Sequence, residues 1–347
     1  MKISRIAGLV LLMLFWGLMG FSQSVPKNYF GNIPGMLEEQ TDSLSAVIQQ
    51  VLKKYPPSIN KASSERRLAL YEIDGILHDT RLDSTNALRS FIKDRYELAL
   101  TALRKPAPKK GIQIIKLYNH GFVIRTATVT IGFDLVLRNI RALAKIPEGV
   151  LVNAMQMKEI ADHCDVLFVS HQHPDHADLR VARLFAAQQK VVYTPPGLWE
   201  GESSYIKVLR DTTLLRTKLK LKNGRMLAAN VYPGHQGEIL NNLYAVTMPE
   251  GYTIMHTGDQ HAKRDLPWLR KVHELQKIDV LLVNSFIDNF QQTVDESIRP
   301  RLVISSHQNE LGHTIDHRGP YWLHFRLIKK FKTPTLMMTW GEHYLYP

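Results

Sequence analysis

Apolar and polar positions recur along the chain with two different periods, and the change between them divides it. From Thr41 to Arg104 the spacing is helical. Leu44, Val47, Ile48, Val51, Leu52 and Tyr55 follow an i, i+3, i+4 rule from a polar start at Thr41-Asp42 to a stop at Pro56-Pro57. Ala69, Ile73, Ile76 and Leu77 predict a second amphipathic helix, and Leu88, Phe91, Ile92, Ala99 and Leu103 a third. Three such helices make a small bundle or a cover for something larger. The stretch KPAPKKG, Lys105 to Gly111, reads as a linker, because prolines and like charges resist both helix and strand.

From residue 112 to 347 the texture becomes short strands separated by helical stretches. Apolar runs such as VLFV, VLLV and LVIS fit strands covered on both faces. In RTKLKLKNGR, Lys218, Lys220 and Lys222 alternate with Leu219 and Leu221 before Asn223-Gly224, the pattern of a half-buried hairpin with a tight turn. Its lysines are assigned to the solvated face rather than to nucleic acid. Met155 and Met157 in NAMQM are assigned to helix packing.

The first residues alter this picture in one respect. Lys2 and Arg5 precede an uncharged apolar run from Ile6 to about Gly20, then small and polar residues. That pattern predicts a signal peptide over residues 1–22, cleaved at Ser22-Gln23, followed by a tail over 23–40 and a periplasmic or secreted mature chain. An uncleaved anchor is the rival reading, although the run is short for a bilayer span. Removing Lys2 and Arg5 leaves 42 of 44 basic residues against 32 acidic ones, a net of +10. A basic surface favours acidic partners, but equally serves solubility. Cys164 is the only cysteine, which excludes an internal disulfide and any thiolate metal cluster.

Chemistry concentrates where the predicted strands end. TVTIGFD ends at Asp134, VLFVSH at His171, MLAANVYPGH at His235, YTIMHTGD at Asp259 and LVISSH at His307. One such residue would be unremarkable as a cap, but five strand ends supplying only His and Asp need a partner for groups that are costly to bury. A divalent cation is the natural one. In VLFVSHQHPDHADL, the spacing of two in His171-Gln172-His173 puts both imidazoles on one side of an extended segment. Asp175 and His176 follow a proline that turns the chain. Four ligands in six residues are too many for one ion that must also admit water and substrate, so two ions are implied. Nitrogen and oxygen donors without sulfur suit Zn²⁺ first, with Mn or Fe next. The rival role for Asp175 is a helix cap for the segment that follows.

These residues, in this order, resemble the metallo-β-lactamase-fold superfamily of metal-dependent hydrolases over roughly Gly111 to Pro347. The resemblance implies an α/β fold, an αββα sandwich of two mixed sheets, preceded here by the helical segment. It implies one metal on His171, His173 and His235, a second on Asp175, His176 and His307, Asp259 bridging, and Asp134 orienting a ligand from behind. The final histidine of HxHxDH resembles the broad hydrolase branches rather than the antibiotic-degrading enzymes. Tyr118 to Gly121, YNHG, resembles a Gly-His segment of the branch containing ascorbate-6-phosphate lactonase and phospholipid phosphodiesterases, but carries Asn119 where glycine is typical.

The implied function is an exported dinuclear zinc hydrolase, in which a metal-bridged hydroxide attacks an ester, lactone, amide or phosphodiester of a small-molecule or lipid-like substrate. Asp175 or Asp259 would accept the proton. His120, His256, His261 and His313 are candidates for substrate contact, and the polar stretch from His307 to Trp322 is suited to shaping a cleft. The helical segment is expected to cover one side of the metal cleft, or to pair two subunits. Other classes remain open at this stage: a metallo-nuclease, which the predicted export disfavours, and a metal-binding scaffold without activity.

Overall fold

The computed structural model describes residues 33–77, 86–137, 153–210, 216–311 and 318–347 of the 347-residue chain. The signal-peptide reading and His313 therefore lie outside the described residues.

Two seven-stranded mixed sheets stack face to face. The first contains β1 (Ile112–Lys116), β2 (Phe122–Arg125), β3 (Thr130–Phe133), β4 (Val166–Phe168), β5 (Val191–Thr194), β6 (Ile206–Val208) and β14 (His343–Tyr346), in the order β14-β1-β2-β3-β4-β5-β6. The second contains β7 (Thr217–Lys220), β8 (Met226–Gln236), β9 (Ile239–Thr247), β10 (Thr253–His256), β11 (Val280–Asn284), β12 (Leu302–Ser306) and β13 (Thr335–Met337), with β7 at one edge and β13 at the other. Inward-facing apolar residues such as Phe122, Phe168, Val231, Val246, Ile254 and Ile304 close the space between the sheets. The expected hairpin is β7 and β8, antiparallel with Lys220 opposite Met226; Leu219 and Leu221 are buried, and Lys218 and Lys220 exposed.

Strand direction explains why the chemistry collects at one edge. β3 and β4 are parallel, as are β10, β11 and β12, while β8 and β10 each run antiparallel to β9 and so share a direction. The C-terminal ends of β3, β4, β8, β10 and β12, where Asp134, His171, His235, Asp259 and His307 follow or lie, thus face the same side, the usual place for a ligand in sheets of this kind.

The helical segment forms α1 (Ile33–Lys54), α2 (Ser64–Leu77) and α3 (Asn86–Arg104). It shares one apolar core with the outer face of the first sheet: Ile73, Leu88, Phe91 and Leu103 pack with Ile115, Leu117 and Leu167. The periodicity placed two features differently. α1 already includes Ile33, ahead of Thr41-Asp42, and Thr41 is a buried residue within it. Val47, expected on the buried stripe, is 57% exposed. α4 (Ala154–His163) and α5 (Leu179–Ala187) join the same layer, as does α6 (Tyr321–Ile328); Met157 of α4 is buried and Met155 is exposed.

Among the described residues, no helix is long and apolar enough to cross a membrane.

Candidate metal centre

Four donor atoms meet beyond the strand ends. Asp175 Oδ2 lies 3.1 Å from His176 Nε2 and 3.3 Å from His307 Nε2, and Asp259 Oδ2 lies 3.3 Å and 3.2 Å from the same two nitrogens. All four side chains are buried. A tetrahedron of N and O ligands at roughly 2.0–2.1 Å from zinc has edges of about 3.3 Å. The donor set therefore already has the spacing an ion requires. A second group, His171, His173 and Asp259, also has ligand atoms within 4.8 Å of one another, and Asp259 belongs to both.

The surroundings fix these rings in the form that can bind metal. Asp134, in the left-handed conformation at φ 45°, accepts hydrogen bonds from the Ser170 N–H (2.7 Å), the Ser170 hydroxyl (2.6 Å) and His176 Nδ1–H (2.7 Å). Ser170 Oγ, having given its proton to Asp134, accepts from His171 Nδ1 at 3.0 Å. Both imidazoles thus have Nδ1 engaged; His176 Nε2 faces the Asp175 and Asp259 carboxylates, and His171 Nε2, buried, has no hydrogen-bond partner among the described residues. Buried polar atoms are rarely left so, and a neutral imidazole held by Nδ1–H is the usual metal-ligand tautomer. Gly258 makes the approach possible: at φ 52° a Cβ there would stand 2.1 Å from Asn241 Oδ1, whose acceptance of the Asp259 N–H (3.1 Å) holds the turn.

The charge balance without metal is carried by protons. Burial acts against His176, but the Asp259 and Asp175 carboxylates raise it well above its ordinary value. Burial likewise opposes the His307 charge, and Asp259 followed by its contacts to Asp175 outweighs it, raising the pKa to about 10. Both carboxylates are held well below their usual range by these imidazoles in spite of burial. His171 goes the other way, pushed by burial to about 3.

Not every expected residue joins. His235 is in neither group; it is partly exposed, with Nδ1 3.1 Å from Asp265 Oδ1, and Gln260 ties this pair together by accepting the His235 N–H and donating to Asp265 at 2.8 Å. Asp175 does not cap α5, since Asp178 takes that place, accepting the Arg180 N–H. His256 is a core residue: Nε2 donates to the His120 carbonyl, Nδ1 accepts from Gly258, and the ring stacks on Phe133 at 4.9 Å. His120 is buried 5.9 Å from the His176 ring, with Nδ1 against the Ser306 hydroxyl and Nε2 unpartnered among the described residues. His261 stands exposed outside the cluster, donating to the Phe286 carbonyl at 2.9 Å. Cys164 is buried, its thiol pushed up by burial to about 12.

Periodicity and strand-end spacing did not signal Asp265, Gln260 or Gln236, whose Nε2 donates to Asp259 Oδ2 at 3.2 Å; each is an ordinary loop or strand polar residue until the fold brings it close. Asn119 had a signal in its departure from glycine. Its Nδ2 donates to Asp175 Oδ2 at 2.7 Å and lies 3.1 Å from His307 Nε2.

Comparisons agree with this geometry at the level of fold and family. A metallo-hydrolase from the hyperthermophilic archaeon Ignicoccus hospitalis superimposes with a TM-score of 0.51 at 15% identity, over 69% of this chain and 99% of that one. A possible metal-dependent hydrolase from Veillonella parvula gives 0.51 at 12%, over 68% and 100%. No curated protein sequence matches the chain. A family profile described as Beta-lactamase superfamily domain matches residues 114–307, more than half of the chain, and so this protein belongs to the beta-lactamase superfamily, with the αββα sandwich of its metal-dependent hydrolases.

Proposed function

We propose that the chain is a hydrolase that works with two divalent transition-metal ions, chiefly zinc. Asp175, His176 and His307 would hold one, His171, His173 and His235 the other, with Asp259 shared. The observation that carries this reading is the set of 3.1–3.3 Å separations among four buried donor atoms, with Asp259 common to both groups. When bound, such ions polarise a carbonyl or phosphoryl oxygen and acidify water to near-neutral pKa.

The chain's own residues then have distinct tasks. Asp134 and Ser170 hold His176 and His171 by Nδ1 and leave Nε2 for metal. Asp265 does the same for His235, a carboxylate behind an imidazole being the common way to fix a ligand ring. Asp175 and Asp259 bring the negative charge that two cations need. Phe286, 36% exposed with its ring 5.1 Å from His307, offers an apolar surface beside the reacting position and supports a substrate with a hydrophobic part, a small ester, lactone, amide or lipid-like phosphodiester. We place the activity outside the cytoplasm on the charged start and short apolar run of residues 1–22.

The test is elemental analysis and a hydrolysis screen on one preparation. Close to two transition-metal ions per chain are expected, with turnover of at least one member of an ester, lactone, amide and phosphodiester panel that chelation abolishes. Affinity for the ions should fall as pH is lowered, because protons on His176 and His307 compete for the same nitrogens. Metal-free protein with chelator-resistant turnover would overturn the reading, and cleavage of nucleic acid alone would replace the substrate class.

A further inference from the structure

We infer that Asn119 is itself a ligand of the buried half, its side-chain carbonyl oxygen joining Asp175, His176, His307 and Asp259 around one ion. The inference rests on the two-ion reading above and adds a residue to it.

Asn119 sits in the turn between β1 and β2 at φ 53°, a left-handed conformation that asparagine tolerates better than other residues with a side chain. Its backbone carbonyl accepts from Lys116 Nζ at 3.1 Å and from the His307 N–H at 3.2 Å, so the turn is fastened to the very backbone that presents His307. The side chain is fully buried and points into the donor cluster, its amide nitrogen 2.7 Å from Asp175 Oδ2 and 3.1 Å from His307 Nε2. The other end of the same amide, Oδ1, is buried without a hydrogen-bond partner among the described residues. An orphaned carbonyl oxygen beside a crowded amide nitrogen is a costly arrangement for a buried asparagine.

A cation resolves it. The two ends of an amide are exchanged by a half-turn about χ2, and which end faces a cluster is decided by the charges there. Facing bare carboxylates, the NH₂ end is favoured. With a divalent ion among those donors the preference reverses, and the orphaned oxygen gains the partner it lacks. Amide carbonyl oxygen is a suitable donor for zinc, manganese or iron alongside imidazole and carboxylate.

Two variants in the full chain separate a ligand from a hydrogen-bond donor that merely steadies Asp175. Asn119→Gly keeps the left-handed turn, since glycine adopts it freely. It removes both ends of the amide. Asn119→Asp keeps an oxygen and loses the donor. The readouts are competitive Zn²⁺ titration of metal-free protein and the visible absorption of the Co²⁺-substituted protein. For a ligand, Asn119→Gly should weaken one of two ions by about 10–100-fold and intensify the Co²⁺ bands as coordination falls, while Asn119→Asp should tighten that ion about tenfold or more. Weakening by both variants would assign the donor role and overturn the inference. Zn²⁺ affinities and Co²⁺ spectra like those of the unmodified protein in both variants would do the same. If Asn119→Asp fails to fold, Asn119→Gly decides alone: an unchanged affinity and spectrum contradict the inference. An unmodified protein that takes up no ion would sink the two-ion reading itself, whereas one that binds two ions and is matched by both variants loses only Asn119.

Discussion

The two halves of the candidate centre share Asp259 but differ in how the fold holds them. Asp175, His176 and His307 are buried, ringed by Asp134, Asn119 and the turn after β12. On the other side only His171 is buried; His173 is half-buried, and His235 is partly exposed and tied to Asp265 rather than gathered into the group. Under the two-ion proposal, the difference suits the buried half to keeping an ion and the more open half to meeting a substrate. Burial forces the inner four side chains into a preassembled, mutually compensating set, because unpaired charges there would cost several kcal/mol. The outer half is the more open to solvent, while the partly exposed Phe286 ring stands 5.1 Å from His307 of the inner one. Its third proposed imidazole, His235, is held by Asp265 outside the group.

The helical segment contributes to the inner half from behind. Asp74 of α2 accepts the Asn309 amide at 2.9 Å, the Tyr321 N–H at 2.7 Å and the Trp322 N–H at 3.1 Å. These residues flank the loop that follows His307. The segment thus holds Asn309, two residues after His307, and the first turn of α6.

Substitution at Asp175 should have the largest effect and should separate the halves most sharply. Asp175→Ala is expected to lose one ion and to lower turnover by roughly three orders of magnitude or more, since charge is removed from the inner ion and from the water it acidifies. It should also destabilise the metal-free protein by about 3–5 kcal/mol, because His176 and His307 lose a buried partner. His173→Ala, in the half-buried group, should abolish turnover as well but change metal-free stability by only about 1 kcal/mol. Thermal melts with and without chelator, beside metal content, check both; equal destabilisation by the two variants would break the comparison.

A smaller effect is expected at Asp74. Asp74→Ala leaves three donors, two of them buried, without an acceptor and should cost about 1–3 kcal/mol. The inner ion should weaken about tenfold while the outer is unaffected, and Asp74→Asn, which keeps an acceptor oxygen, should recover part of the loss. Metal titration of the two variants reads this directly, and a uniform weakening of both ions would show that α2 supports the fold at large.

Much of this organisation was legible in the sequence because it is local. The strand runs end where their apolar residues stop, and the HxHxDH spacing announces itself within six residues. The β7–β8 hairpin follows from alternation and Asn-Gly. What could not be read depends on contacts between distant parts of the chain. Nothing near Asp265 says that it will reach His235 across 30 residues, nor could Asp74 be tied to Tyr321 across 247. His256 resembles a ligand by its place at the end of β10, yet its ring lies flat on Phe133, inside the sheet stack. The start of α1 was misplaced because Thr41, a good cap by type, is buried by packing that local preference does not register.

The central claim, two ions sharing Asp259, is tested most directly by anomalous diffraction at the zinc edge from metal-loaded crystals. The account predicts two peaks roughly 3.5–4 Å apart with the Asp259 carboxylate between them, one inside Asp175, His176 and His307 and the other reached by His171, His173 and an inward-turned His235. A single peak, or ions held without Asp259, would contradict it.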